Sequence, residues 1–355
     1  MEEGRTPKGG TMKVTSRIAL MMSLALTGTF GAAALADPVA DFYKGKNMSM
    51  VISSGAGGGY DTLARTVTRH LGKHIPGNPN IVPRNMPGAG GIVASKHLFT
   101  QAPRDGSVMG IVMNNAPLEP LFGTKEADYD ATKLNWIGTP SLETGLLIVW
   151  HTSKFKTIDD VRRMEMTAGA SGVNSAPAFY SRLLNELLGT KIKVIAGYPG
   201  QNEAYIAIER GELDTYGTTF WSSLTSTKQN WIKGNLVRIL LQYGPVKEPE
   251  LKDVPYGPDL VKSEEDRLLF EAAYGPLTLG RPFLMPPEIP ADRLAAVRKA
   301  FMAMIKDPDF RSEAEKLGLQ IDNPRSGEEL QAAVERLYRT PPHVVERLRR
   351  IAQNK

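Results

Sequence analysis

Gly55, Ala56, Gly57, Gly58 and Gly59 stand between an apolar run and an amphipathic one, with Tyr60 and Asp61 directly behind them. Such a string offers chemistry through backbone amides rather than through a reactive side chain. Glycine turns without a Cβ penalty and lets a ligand approach bare N–H groups. A helix starting just beyond the loop adds roughly half a positive charge at its first turn. The chemistry implied is a seat for an anion, most simply a carboxylate or a phosphate. Two nucleotide-binding versions of this loop are disfavoured. Counting the dinucleotide fingerprint from Gly55 reaches Gly57 but then Tyr60 where a third glycine belongs, and no Lys-Ser or Lys-Thr follows at P-loop spacing. The alternative is a tight turn in which Asp61 is an ordinary helix cap.

Further constellations bear on function. Pro87-Gly88-Ala89-Gly90-Gly91 is a second glycine loop, and Asn114-Asn115 closes a third apolar run. In Ala168–Ser175 the hydroxyls of Ser171 and Ser175 precede a helix and could serve a second anionic group. That stretch misses a nucleophile elbow by one residue, Val173 standing where glycine is required. The turn Gly197–Asn202 presents Tyr198, and Trp221 could wall a cleft or pack in a core. His70 and His74 share one helix face, but Leu71 occupies the position where a zinc hydrolase carries glutamate. His97, His151 and His343 have no acidic or Cys companions at metal spacing. Neither a metal nor a cofactor is expected, and no Ser-His-Asp set can be assigned.

The elements that must hold these residues alternate. Met50–Ile52 reads as a strand, and Leu63, Val67 and Leu71 recur on one helix face. Asn80–Met86, the second loop and a helix through Val93 and Leu98 repeat the pattern, placing both loops side by side at the carboxyl edge of one sheet. Ser107–Met113 is a third strand, and Trp136–Thr139 supplies another edge. Gly145–Trp150 leaves this unit as a buried strand. Then follow a helix over 158–163 capped by Thr157, a strand over 166–170, a helix over 177–188, a strand over 192–196 and a helix over 202–211. Leu213–Tyr216 and Val237–Gln242 continue that second sheet. Leu277–Leu284 returns to the first unit, and Pro290 opens a helix with Leu294, Val297, Phe301 and Ile305 on its core face. The fold class expected is α/β: two mixed α/β domains, similar lobes joined by two crossing strands as a hinged clamp whose cleft is lined by the loops of both. The first lobe takes residues 37–145 and 277–355, the second 146–276.

Residues 1–36 read as a leader and signal peptide: Lys13 and Arg17, an apolar stretch from Ile18 to Leu26, and a small-residue site ending Ala34-Leu35-Ala36, cut after Ala36. Periplasmic delivery follows. Its removal takes Arg5, Lys8, Lys13 and Arg17 against Glu2 and Glu3, and the formal charge falls from +5 to +3. Near neutrality, with no basic run interleaved with aromatics, disfavours nucleic acid as a partner. The chain has no cysteine, so disulfides and thiol chemistry are excluded. A mature chain of about 320 residues exceeds the usual limit for one core.

Asn47–Arg65, Asn80–Gly91, the APRDG string Ala102–Gly106 and Gly197–Gly211 together resemble the periplasmic solute-binding receptors of tripartite tricarboxylate transporters. The likeness runs from about residue 42 to 350. Two positions depart: Ser53-Ser54 replaces a common Phe-Pro, and Tyr198-Pro199-Gly200 replaces Tyr-Lys-Gly. The resemblance implies a receptor of the two-lobed periplasmic-binding-protein (Venus-flytrap) fold, not an enzyme, that captures a small organic acid and delivers it to integral-membrane permease subunits. It implies a carboxylate held by Gly57, Gly58, Gly59, Asp61, Ala89 and Gly90, with Ser171, Ser175 and Tyr198 choosing the rest of the molecule. Tyr60, Asn115 and Trp221 complete the expected binding set. Di- and tricarboxylates, aromatic acids and acidic amino acids are the ligand classes, and a monomer is expected. Asp61 is compatible with a carboxylate if its own oxygens are occupied as a cap; otherwise it suits an ammonium group. Two other classes stay open at this stage: an exported hydrolase using Ser171, and a sensing module for a membrane signalling protein.

Overall fold

Met48, Met50, Val51 and Ile52 are at most 1 % exposed, which is what a strand covered on both faces requires. They lie in β1 (Asn47–Ile52), the parallel neighbour of both β2 (Asn80–Asn85) and β3 (Val108–Ile111). The computed structural model describes residues 37–173 and 175–353. The export segment expected over 1–36 lies outside the described residues. The remaining strands are β4 (Asn135–Thr139), β5 (Gly145–Trp150), β6 (Met166–Ala170), β7 (Ile192–Ala196), β8 (Thr215–Tyr216), β9 (Thr219–Phe220), β10 (Val237–Tyr243), β11 (Phe283–Met285) and β12 (Arg325–Ser326).

Three sheets result. The largest has six strands in the order β12-β4-β11-β3-β1-β2, with β11 antiparallel to both β3 and β4. A second, antiparallel sheet runs β10-β5-β9, and a third, parallel one runs β7-β6-β8. Helix Gly59–Leu71 buries Leu63, Val67 and Leu71, the face its four-residue spacing marks. Helix Ala291–Met304 buries Val297, Ala300, Phe301 and Met304, and the Phe301 ring meets Phe283 of β11 with centroids 5.2 Å apart.

Three expectations need correction. Val237–Gln242 does not continue the sheet of β6 and β7; β10 pairs antiparallel with β5, and an apolar run cannot tell which sheet it will join. Leu277–Leu284 does return to the large sheet, first through a 3-10 turn, Gly275–Leu279, and then as β11. Leu213 and Asp214 precede β8 rather than belonging to it. Trp136–Thr139 is not an edge, because β12 pairs outside β4. Two residues carry no period to read.

Candidate functional site

Strands β1 and β2 pair in unbroken register from Asn47 with Asn80 to Ile52 with Asn85, so both end at the same level and their glycine loops adjoin. In the third sheet β6 and β7 do the same, from Met166 with Ile192 to Ala170 with Ala196. The two carboxyl edges face each other. A Cβ placed on Gly57 would lie 3.8 Å from the Asn202 amide nitrogen, and one on Gly90 would lie 3.9 Å from the Ser175 Cα. The first loop therefore opposes the turn after β7, and the second opposes the turn after β6. Gly57, Ala89, Ser171 and Asn202 are exposed, so the space between is open to solvent.

A helix starts from each of these four turns: Gly59–Leu71, Ile92–Thr100, Ala176–Leu188 and Gln201–Glu209. None of the four has a side-chain cap; their N-cap residues are Gly58, Gly91, Ser175 and Gly200. Four helices elsewhere do carry side-chain caps, from Thr157, Ser263, Asp307 and Ser326, whereas those starting at Trp221, Gln229, Gly257 and Ala291 also lack one. The Ser175 hydroxyl turns back instead, donating to the Gly172 carbonyl at 2.7 Å. Four helix starts without a side-chain acceptor, and their positive ends, thus meet in one cleft, an environment that favours an anion. The second loop adds a run of left-handed residues, Ala89 at φ 45°, Gly90 at 63° and Gly91 at 97°. The Gly91 N–H is spent inside this loop, donating to the Gly88 carbonyl at 2.9 Å, and the Ile92 N–H donates to the Ala89 carbonyl. Glycine is required at 91, where a Cβ would meet the Met113 side chain at 3.0 Å.

Asp61 is not the N-cap of its helix. It is the third helical residue, and its carboxylate reaches back to accept from the Gly57 N–H at 2.9 Å. It also accepts from Arg65 Nε at 2.9 Å and Asn85 Nδ2 at 2.8 Å. Asn85 in turn donates to the Ser54 carbonyl and accepts from Arg65 Nη2. Burial pushes the Asp61 carboxyl up, but the hydrogen bonds from Arg65, Gly57 and Asn85 outweigh it and hold the group below its ordinary value. Asp61 is thus a brace that ties the first loop to the end of β2, with both oxygens occupied. The i, i+4 spacing of Asp61 and Arg65 was a legible sign of this pairing; Asn85 carried none.

The other expected residues divide. Gly58 has open space around it and an ordinary φ of −83°. Gly59 is buried, a Cβ there falling 2.5 Å from Arg281 Nη1. Tyr60 is 6 % exposed and its hydroxyl accepts from the Asn114 N–H at 3.2 Å. Asn115 is buried, donating to Glu119 at 2.9 Å, with its own Oδ1 unpartnered. Tyr198 is half-buried at the turn after β7, and the exposed Ser171 lies beside the Tyr216 hydroxyl. Trp221 is buried with its indole nitrogen unpartnered. Sequence reasoning missed Ser53, Ser54 and Asn114. All three have buried polar side-chain atoms without a partner, and all flank the ends of β1 and β3. Buried polar groups are nearly always paired, so their cluster marks a place for water or ligand.

His70 and His74 are engaged elsewhere, by Glu313 at 2.6 Å and Asp307 at 2.9 Å. Among the described residues no group of three or more His, Cys, Asp or Glu could hold a metal ion. Two cavities of about 330 and 310 Å³ lie along helix Glu264–Tyr274, away from the glycine loops, and share Glu271, Gly275 and Thr278.

The fold is shared with solved structures. The periplasmic binding protein BugD superposes with a TM-score of 0.66 at 20% identity, covering 87% of this chain and 98% of that one. MatC from Rhodopseudomonas palustris, solved with bound malate, gives 0.65 at 18%, covering 86% and 99%. The fold is that of a periplasmic binding protein. A UPF0065 protein of Bordetella bronchiseptica is 27% identical over 179 residues, 49% of this chain, so the match spans about half (52%) of that curated relative. No family model matches the chain. In the binding-protein fold the cleft between facing sheet edges is where a ligand is expected, because strand ends and helix starts converge there.

Proposed function

We propose that the protein is an extracytoplasmic receptor that captures a small organic acid between two lobes and hands it to a membrane permease of the tripartite tricarboxylate type. Residues 37–145 with 277–355 make the first lobe and 146–276 the second. Residues 1–36 act as the export signal, cleaved after Ala36, and the mature protein works in the periplasm as a monomer. The observation that carries this reading is the set of four helix starts, all without side-chain caps, meeting across one open cleft. Gly58, Gly59, Ala89 and Gly90 seat a carboxylate through their amides, while the Gly57 N–H, spent on Asp61, holds the loop in shape. Asp61, already saturated by three donors, braces the seat and does not ask for an ammonium group. Ser171, Ser175, Tyr198 and Asn202 face the rest of the molecule. Malate in MatC supports a compact dicarboxylate as the first acid to test.

The hydrolase reading is not favoured. Ser171 has a tyrosine hydroxyl beside it, and among the described residues no hydrogen bond joins it to a histidine that could act as base. Thermal unfolding of the mature chain with a panel of di- and tricarboxylates, aromatic acids and acidic amino acids tests the proposal. At least one acid should stabilise the fold by about 2.7 kcal/mol at a hundred times its dissociation constant. A panel with no shift at millimolar concentration contradicts it.

A further inference from the structure

Glu143 and Arg281 stand on the two stretches of chain that pass between the six-stranded sheet and the smaller ones. Glu143 lies between β4 and β5, and Arg281 between the 3-10 turn Gly275–Leu279 and β11. Neither belongs to a strand, yet they are 0 % and 2 % exposed. Arg281 Nε donates to Glu143 at 2.7 Å, and Nη2 donates to Ser222 at 2.6 Å and Ser223 at 2.8 Å. The Ser222 hydroxyl donates to Glu143 at 2.7 Å, closing a ring of contacts. Both serines belong to helix Trp221–Thr227, which directly follows β9 in the antiparallel sheet.

The other side of the guanidinium rests on the helix that carries the first glycine loop. Nη1 approaches Gly59 so closely that no Cβ fits there, and the Tyr60 ring centroid is 5.1 Å from Cζ. Two backbone donors tie the same point together: the Arg281 N–H donates to the Thr139 side-chain hydroxyl at the end of β4 at 3.1 Å, and the Glu143 N–H to the Leu277 carbonyl at 3.1 Å. One side chain thus touches both crossing segments, the start of the ligand-seat helix and the helix behind β9. A guanidinium is a rigid planar fork whose donors point in fixed directions. Rotating helix Trp221–Thr227 against the crossing segments breaks its short charge-assisted bonds away from water, where they are strongest. The cation also sits beside the positive end of helix Gly59–Leu71, a juxtaposition that an incoming anion relieves.

We infer that Arg281 is a positioning residue: with Glu143, Ser222 and Ser223 it forms a clasp that fixes the angle at which the facing sheet edges meet, holding the first loop in register with the turn after β7. Its consequence for capture rests on the receptor reading above; its geometry does not. The test therefore uses no ligand. Because the chain has no cysteine, nitroxide labels can be attached at Val93→Cys and Ile206→Cys, exposed positions (46 % and 44 %) on the helices of the second loop and of the turn after β7. Pulsed electron–electron double resonance on the otherwise intact mature chain should give one narrow distance distribution. In Ser222→Ala/Ser223→Ala that distribution should at least double in width while the thermal midpoint stays near wild type. Arg281→Lys, which keeps the charge and loses the fork, should broaden it as well. An unchanged width in the folded double-serine variant overturns the inference, as does full retention of the narrow distribution in Arg281→Lys. These distances decide the matter even if every organic acid fails to bind.

Discussion

Gly58→Val is expected to abolish binding of any acid that stabilises the wild-type chain, weakening it at least a hundredfold in calorimetric titration. The fold should survive. Gly58 sits at an ordinary φ with nothing within 4 Å of a Cβ, so valine enters the cleft rather than the core. The N-cap loses a little, since valine is poorer there than glycine, at a cost of about 1 kcal/mol or less. The branched side chain covers the first-turn amides and stands where the anion must lie. Retained binding in a folded Gly58→Val chain would mean that the ligand is held elsewhere.

Glu143→Ala should be the most damaging single change to stability among those considered, by about 3–5 kcal/mol in urea unfolding. It strands the Arg281 guanidinium, 3 % exposed, without its carboxylate, and leaves the Ser222 hydroxyl without an acceptor. Burial already pushes the Glu143 carboxyl up, against the pull of Arg281 and Ser222. Removing both ends, as Glu143→Ala with Arg281→Met, should recover much of the loss, because a buried pair is often worth little against apolar replacements. A single Glu143→Ala variant within about 1 kcal/mol of wild type would show that water enters and solvates the arginine.

Much of this was legible in the chain. The glycine loops announced themselves because strand, loop and helix each carry a local signal, and a strand–loop–helix–strand order makes β1 and β2 parallel neighbours, although only β1 is largely buried while β2 exposes Val82 and Arg84. The same holds for β6 and β7 and for the capping box at Thr157. Sequence could not show which turns oppose which. Gly57 and Asn202 meet through a tertiary arrangement that no period encodes. The role of Asp61 was legible only as an alternative, because its partner Asn85 lies on the next strand. Arg281 and Glu143 were passed over altogether. Each is a lone charge flanked by apolar strand residues, in Gly275–Met285 and in Thr139–Trp150, which in retrospect is the sign that two such stretches share a buried pair.

The central claim is that backbone amides at two adjoining bends grip a carboxylate, and amides can be watched directly. With glycine alone labelled by nitrogen-15, titration with malate, or with whichever acid stabilises the chain most, reports each glycine N–H separately. On this claim the largest shifts should fall on Gly58, Gly59 and Gly90, with the already bonded Gly57 and Gly91 moving less and Gly172 and Gly200 following as the facing turns close. Saturable shifts confined to Gly244, Gly257 and Gly275, around the cavity beside helix Glu264–Tyr274, would contradict it.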